Sequence, residues 1–536
     1  MTCTTTRPGT RPTTTPRSHL RTALKAATAA AVLGATVVAS GATASAAGYP
    51  SDSTPPDLVS ALGGYFSVWQ PSGANDLHGT VKNPGTLQWN DRLTSWINQN
   101  ATKDQQFRAL QNSAYKNADG SGYDQSISIA AGLGQSLGKI YATGRIEGKL
   151  PLVDALISSE NGTTGAYVGT GQAKATFSYP RPFLAASATS KAVEGDEAAC
   201  DPSKINGSSV TPNRTGKDWA NADGSLKITR LAPVVDSTRD FASTDVTLDP
   251  GYGTAGICTG GSYPSGHTTT AYQAGITLAT LLPELAPEIL ARTSEAGNNR
   301  IVLGVHYPLD IMGGRIDGEA ALATRWSDAQ FRTEVLTPAR QELINYLQAQ
   351  CGDLLAKCIA KDKAYTDNPY GGKAIPGGTS QIVTDRQSAV KVYTERLDYG
   401  FTPTHSTTAA PAVPQGAENL LLTAFPTLTD AQRTSVLAQT QVASGNVLDL
   451  SGTSNSGSWQ RLNLAAATSA TVQLNADGSV KVTSVGGEAK VVKAGVPSTP
   501  TPEPSSPASP VVPPATNPSA TSTGSPSRPG LPSTGV

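Results

Sequence analysis

Charge is scarce in this chain, and cysteine and histidine are scarcer still. Only 15% of its 536 residues are charged, and 41 lysines and arginines are matched by 41 aspartates and glutamates. With no excess of either sign, neither nucleic acid nor a charged membrane surface is an expected partner. Beyond the N-terminal segment no apolar run approaches the ~20 residues needed to cross a bilayer, so no membrane span is expected. Alanine, threonine, serine and glycine dominate instead, which suits an exported chain with polar, flexible segments. The length exceeds one ordinary domain and allows a large buried core.

The N-terminus fits export. Basic residues end with Arg17, Arg21 and Lys25, an apolar run covers 26–38, and Ala44-Ser45-Ala46 offers a small-x-small cleavage site. Residues 1–46 are therefore read as a signal peptide, carrying Cys3 and His19 with them. The four remaining cysteines, Cys200, Cys258, Cys351 and Cys358, are an even number suited to an oxidising compartment. Sequence does not choose among three pairings. The preferred one joins Cys200 to Cys258 across a long insertion and Cys351 to Cys358 as a local clip. A zinc site is the competing reading, but the spacings resemble no C-x2-C pair and no histidine is near.

Apolar residues recur at three- and four-residue spacing over 88–99, 102–116 and 124–147, with Thr102 and Asp124 as N-caps, and again over 266–282, 287–298, 308–326 and 328–350. Few strands are expected there, so residues 47–365 read as an all-α helical bundle. The polar stretch 183–263 reads as a loop or lid inserted in it. A smaller mixed α+β C-terminal unit is expected over 366–495, with a helix near 429–440 and a hairpin around Asp477-Gly478. Residues 496–536 are rich in proline, serine and threonine and read as a disordered tail. It ends in Leu531-Pro-Ser-Thr-Gly535, which resembles a sortase recognition sequence and raises the expectation of cell-wall attachment. Only Val536 follows where that signal continues with apolar and basic residues.

Three separated segments concentrate what chemistry the chain has: Lys174 with Arg181-Pro182, then Pro264-Ser265-Gly266-His267, then Asn299-Arg300 with His306 and Asp310. Lys174, Arg181 and Arg300 can neutralise a phosphate dianion, and arginine's planar fork matches its oxygens in pairs. Ser265 and Gly266 open a helix, whose first amides can bind an anion. His306 can attack phosphorus through one ring nitrogen while Asp310 holds the other, and His267 can serve as acid and base. No metal is called for. His78 and His405 lack partners at useful spacing and read as surface residues. Trp69, Trp89, Trp96 and Trp326 read as core or interface, and Glu194, Asp196 and Glu197 as a solvated patch.

The order Lys-x6-Arg-Pro, Pro-Ser-Gly-His, then Arg-x5-His-x3-Asp resembles the type 2 phosphatidic acid phosphatase superfamily. That superfamily includes bacterial class A non-specific acid phosphatases and vanadium-dependent haloperoxidases. The resemblance implies a helical bundle of the acid phosphatase/haloperoxidase type. It also implies phosphate binding by Lys174, Arg181, Ser265, Gly266 and Arg300, with His306 as nucleophile, Asp310 as its partner and His267 as acid/base. Asn299 stands where the family usually has serine, and the 183–263 insertion is longer than usual. The expected protein is a secreted phosphatase acting on small phosphorylated substrates through a phosphohistidine, without a cofactor. A haloperoxidase holding vanadate in the same pocket is one alternative, vanadate otherwise acting as inhibitor. A wall-displayed binding protein with an inert core is another.

Overall fold

Helix starts follow their capping residues. Asn83 accepts a hydrogen bond from Thr86 N, and Pro84 fills the first turn of the helix Pro84–Asn100. Thr102 caps Lys103–Ala114 through Gln105 N, and Asp124 caps Gln125–Ile129 through Ser126 N. The structure, a computed structural model, describes residues 48–114, 124–157, 168–196, 199–451 and 457–494. The expected signal peptide and the tail with its Leu-Pro-Ser-Thr-Gly sequence lie outside the described residues, as does Glu197. The single helix expected over 124–147 is interrupted by a 3-10 turn, Ala130–Leu133, and by Gly134 at φ 110°. Only glycine reaches that φ without a Cβ clash, so the chain bends there before Gln135–Ile146.

Three helices form the centre: Gly266–Leu281, Ala286–Val302 and Pro308–Ser327. They are buried along nearly their whole length, and the second and third bury charged side chains as well, among them Glu288, Glu295, Arg315 and Glu319. The middle helix runs past its expected end, which takes Asn299 and Arg300 into its last turn. The helix expected over 328–350 instead divides into Ala329–Phe331, a π turn over Arg332–Leu336, and Thr337–Cys351.

Close packing of the first and third central helices depends on two glycines one turn apart. A Cβ on Gly314 would come within 2.6 Å of Ser265 O, and one on Gly318 within 2.7 Å of Tyr272 Cβ. Both leave the 308–327 helix free to lie directly on the 266–281 helix. That contact brings the Ser265-Gly266-His267 turn against the segment carrying His306 and Asp310.

The insertion has little regular structure, as its composition implies. It holds short helices at Thr211–Arg214 and Ala255–Cys258 and an unexpected antiparallel ribbon pairing Val234–Asp236 with Val246–Leu248. Cys200 is bonded to Cys258 and Cys351 to Cys358, with Cα separations of 5.2 and 6.2 Å.

Toward the C-terminus, Thr429 and Gln432 form a capping box for Asp430–Thr440. Strands Thr471–Leu474 and Val480–Ser484 pair around Asp477-Gly478, and Lys490–Lys493 adds a parallel third strand. Residues 366–494, expected as a unit of their own, share the bundle's core. Tyr393, Leu420 and Val472 belong to the same buried cluster as Tyr272, Leu278 and Leu290. The buried Arg315 guanidinium also donates to Gln460 O at 2.8 Å and Trp459 O at 3.2 Å. Composition shifts near residue 365, but the hydrophobic core does not stop there.

Replacing Gly318 with valine forces the two helices apart. We expect a loss of about 1–3 kcal/mol in urea unfolding, the usual cost of overpacking a tight contact. Unchanged stability would contradict the close approach described above.

Candidate functional site

His306 and Asp310 flank the start of the 308–327 helix, where Pro308 sets the first turn. Their four-residue spacing lets His306 Nδ1 reach Asp310 Oδ2 at 3.0 Å. The same oxygen accepts from Tyr307 N at 2.9 Å and from Ser262 Oγ. The backbone carbonyl of Asp310 takes Ser265 N at 3.0 Å. Three donors converging on one oxygen call for an ionised carboxylate, and burial opposes this by raising the Asp310 pKa. The convergence also assigns the His306 proton to Nδ1. Nε2 then keeps its lone pair, which lies 2.9 Å from Arg181 Nη1, a group that can only donate.

Arg181, 4% exposed, joins the first motif to the third and to the turn ahead of the second: Nε donates to Gly260 O at 3.2 Å and Nη1 to Val305 O at 3.1 Å. Burial lowers its pKa to about 10, which leaves it charged at neutral pH. Lys174 is placed differently from expectation. Its Nζ donates to the carbonyls of Pro264 at 2.6 Å, Gly261 at 2.8 Å and Ser262 at 3.4 Å. Its donors brace the 261–264 turn, and its charge acts on the pocket as a field. Burial and Arg181 push the Lys174 pKa down, while Asp310 and Asp317 oppose them. Three carbonyl acceptors around Nζ favour the ammonium.

Ser265 caps the 266–281 helix: its Oγ accepts from Thr268 N at 3.3 Å and Thr268 Oγ1 at 2.9 Å. Its own amide is committed to Asp310, so it is not one of the open first-turn donors the sequence suggested. The Gly266 amide makes no hydrogen bond among the described residues, and a Cβ there would meet Thr170 Oγ1 at 3.2 Å. Arg300, 1% exposed, donates to Ser113 Oγ at 2.7 Å. Its neighbour Asn299 replaces a hydroxyl with a bridging amide. It accepts from Gln105 Nε2 at 2.6 Å and donates to Asn112 Oδ1 at 2.7 Å.

Both imidazoles have pKa values well below the usual histidine range. Burial is the largest cause for each. Arg300, Arg181 and Lys174 add to it at His267, where a hydrogen bond to the Ser113 backbone acts in the opposite sense. At His306 the order is Arg181, Lys174, Arg300 and then His267. Both rings are therefore neutral at pH 7, and an anion among the three cations would relieve the effect. Two neutral imidazoles and three cations thus lie within electrostatic reach of one another, with Arg181 on Nε2 of His306 and the Asp310 carboxylate on its Nδ1.

Residues 157–334, which include Lys174, Arg181, Ser265, Gly266, His267, Arg300, His306 and Asp310, match the sequence profile of the PAP2 superfamily. The chain is similar to an acid phosphatase of Zymomonas mobilis subsp. mobilis, 38% identical over 105 residues that make up 20% of this chain and 39% of that protein. It is also similar to a non-specific acid phosphatase of Providencia stuartii, 36% identical over 75 residues, 14% of this chain and 30% of the relative. A non-specific acid phosphatase of Salmonella typhi is 35% identical over 83 residues, 16% and 33% of the two chains. The matches thus span no more than 39% of these relatives' length.

The insertion ties the helix Pro84–Asn100 to Tyr307, the neighbour of His306. Arg214, fully buried, forms a fork on Asp91 with two bonds of 3.0 Å and donates to Tyr307 OH at 2.8 Å. Tyr307 OH in turn donates to Pro180 O at 3.1 Å, so one arginine steadies the backbone beside both Arg181 and His306. Cys258, tied to Cys200, precedes the turn that supplies Gly260, Gly261 and Ser262. Sequence reading missed Ser113, Ser262, Gln105 and Arg214. Of these, Ser262 alone adjoins a motif. Trp69 and Trp326 are buried as expected, and His405 is exposed. His78 is half-buried and bonded to Ser209 Oγ at 3.2 Å. Asp196 is a correction: it is buried in an ion pair with Arg230, not part of a solvated patch.

Arg214→Met leaves the buried Asp91 carboxylate unpaired. The expected loss is about 3–5 kcal/mol, read as a lower midpoint in urea unfolding. A midpoint equal to the parent protein's would remove Arg214 from this structural role.

Proposed function

We propose that this protein is a secreted phosphatase that hydrolyses phosphate monoesters through a phosphohistidine on His306, without a metal. The observation that carries the proposal is the His306 ring, with Nδ1 held by Asp310 and Nε2 unprotonated beside Arg181. The named acid phosphatase relatives support the ester class, and two disulfides with an export-like N-terminus support secretion.

In the first step the phosphate takes the Arg181 and Arg300 forks, and Arg181 gives up its bond to Nε2. The lone pair of Nε2 attacks phosphorus in line. The bond to the ester oxygen breaks, and His267 delivers its proton to the leaving alkoxide. Asp310 balances the positive charge that grows on the ring. In the second step His267 removes a proton from water, the oxygen attacks phosphorus, and the P–N bond breaks to release inorganic phosphate. Lys174 contributes charge while holding the 261–264 turn against Asp310. General acid–base help of this kind is worth about 10²–10⁴-fold. The arginines and Lys174 supply the charge stabilisation that a metal would otherwise give.

Removing the nucleophile by His306→Ala should abolish p-nitrophenyl phosphate turnover. His267→Ala should lower kcat by about 10²–10⁴-fold while KM changes little. EDTA should leave the parent rate unchanged. Turnover retained in His306→Ala, or halide oxidation by the parent with vanadate and peroxide, would overturn the reading.

The empty pocket lowers the His267 pKa, and a bound dianion offsets the cations responsible. Binding of sulfate, a dianion throughout pH 5–7, should therefore take up a proton and tighten as pH falls, and turnover should have an acidic optimum. Calorimetry in two buffers of different ionisation enthalpy measures that uptake. Binding with no proton taken up between pH 5 and 7 would remove His267 from the acid role.

A further inference from the structure

A cavity of about 620 Å³ lies between the bundle and the loop that joins the two strands of the inserted ribbon. This volume suits a small organic ligand, for which pockets of about 300–1,000 Å³ are usual. The loop is fastened on two sides: Gln111 Nε2 donates to Asp236 Oδ2 at 2.9 Å, and Lys139 pairs with Asp240 at 3.0 Å. Three rings line the cavity, Phe107 from the 103–114 helix, Phe241 from the ribbon loop and Tyr365 from the far side.

The same cavity has cations with donors to spare. Arg108 uses only Nη1, on Glu295 at 3.2 Å and Asp367 at 3.0 Å. Its Nε and Nη2 have no partner among the described residues, and its side chain is 32% exposed. Lys363, exposed at the rim, also has no partner for its ammonium among the described residues. Asp240 faces the cavity, but Lys139 neutralises it.

We propose that this cavity is a second ligand site, built by the insertion, that takes a small planar aromatic carboxylate. The ring would lie among Phe107, Phe241 and Tyr365, and the carboxylate would take the open edge of Arg108 and the Lys363 ammonium. The site is separate from the phosphate pocket. Arg292, on the cavity wall, donates to Asn112 at 3.1 Å, pairs with Glu295 at 3.3 Å and precedes Arg300 by about 12 Å of helix axis. It stands whether or not His306 carries a phosphoryl group.

The test is calorimetric titration of the full chain with naphthalene-2-carboxylate, with 2-naphthylmethanol as the uncharged control. The expected result is one saturable site for the carboxylate and binding weaker by about tenfold for the alcohol, the scale of one charge-assisted hydrogen bond. Lys363→Glu and Phe241→Ala, both on surface segments, should each weaken the carboxylate by about five- to tenfold. Neither should change p-nitrophenyl phosphate turnover. Absence of saturable binding would overturn the proposal. So would equal affinity for the alcohol, or binding that neither substitution alters, which would place the probe elsewhere.

Discussion

The carboxylate of Asp310 is the interaction on which the rest of the pocket depends. Through one oxygen it takes protons from Ser262, Tyr307 and His306, and through its backbone carbonyl it takes the Ser265 amide. Those partners come from the second and third motifs, so one buried acid sets both the imidazole tautomer and the position of the helix start that faces it. Arg181 completes the assembly by joining the first motif to Gly260, Val305 and His306. A buried carboxylate is costly unless it is hydrogen-bonded, and here three donors serve Oδ2 while Oδ1 has no hydrogen-bond partner among the described residues.

Around this centre the pocket concentrates positive charge in a buried place. The fold tolerates it in several ways. Lys174 is surrounded by carbonyl oxygens, Arg181 is shared among two carbonyls and an imidazole, and Arg300 is held by Ser113. The imidazoles absorb the remainder by staying neutral. In the proposed mechanism an arriving dianion meets donors already oriented, the electrostatic preorganisation that phosphoryl transfer would require. The same charges make the acid–base role proposed for His267 depend on the ligand, because an anion offsets the cations that lower the proton affinity of that ring.

The parts of the site legible in sequence are those whose partners lie within a few residues. His306 and Asp310 are one helical turn apart, and Ser265 caps the helix that follows it, so spacing alone conveys their geometry. Ser113 with Arg300, Gln105 with Asn299, and Arg214 with Asp91 meet only through tertiary packing, from positions more than a hundred residues apart. Nothing local to those side chains marks them. Lys174 has contacts that its motif did not convey. Its place in a motif pointed to a phosphate contact, but the carbonyls that claim its ammonium belong to a turn whose conformation sequence does not reveal. Helix positions followed the apolar period well. The break at Gly134 and the merging of residues 366–494 with the bundle did not, since each is decided by what the segment packs against.

The measurement closest to the central claim is the site of phosphorylation during turnover. Rapid acid-free quenching of the enzyme with a labelled monoester, followed by peptide mapping and phosphorus NMR, identifies the residue and the ring nitrogen that carry the phosphoryl group. The account predicts an acid-labile, base-stable phosphoramidate on Nε2 of His306, because Asp310 occupies Nδ1. Label on Nδ1, on His267, or on no histidine at all during steady turnover would contradict it.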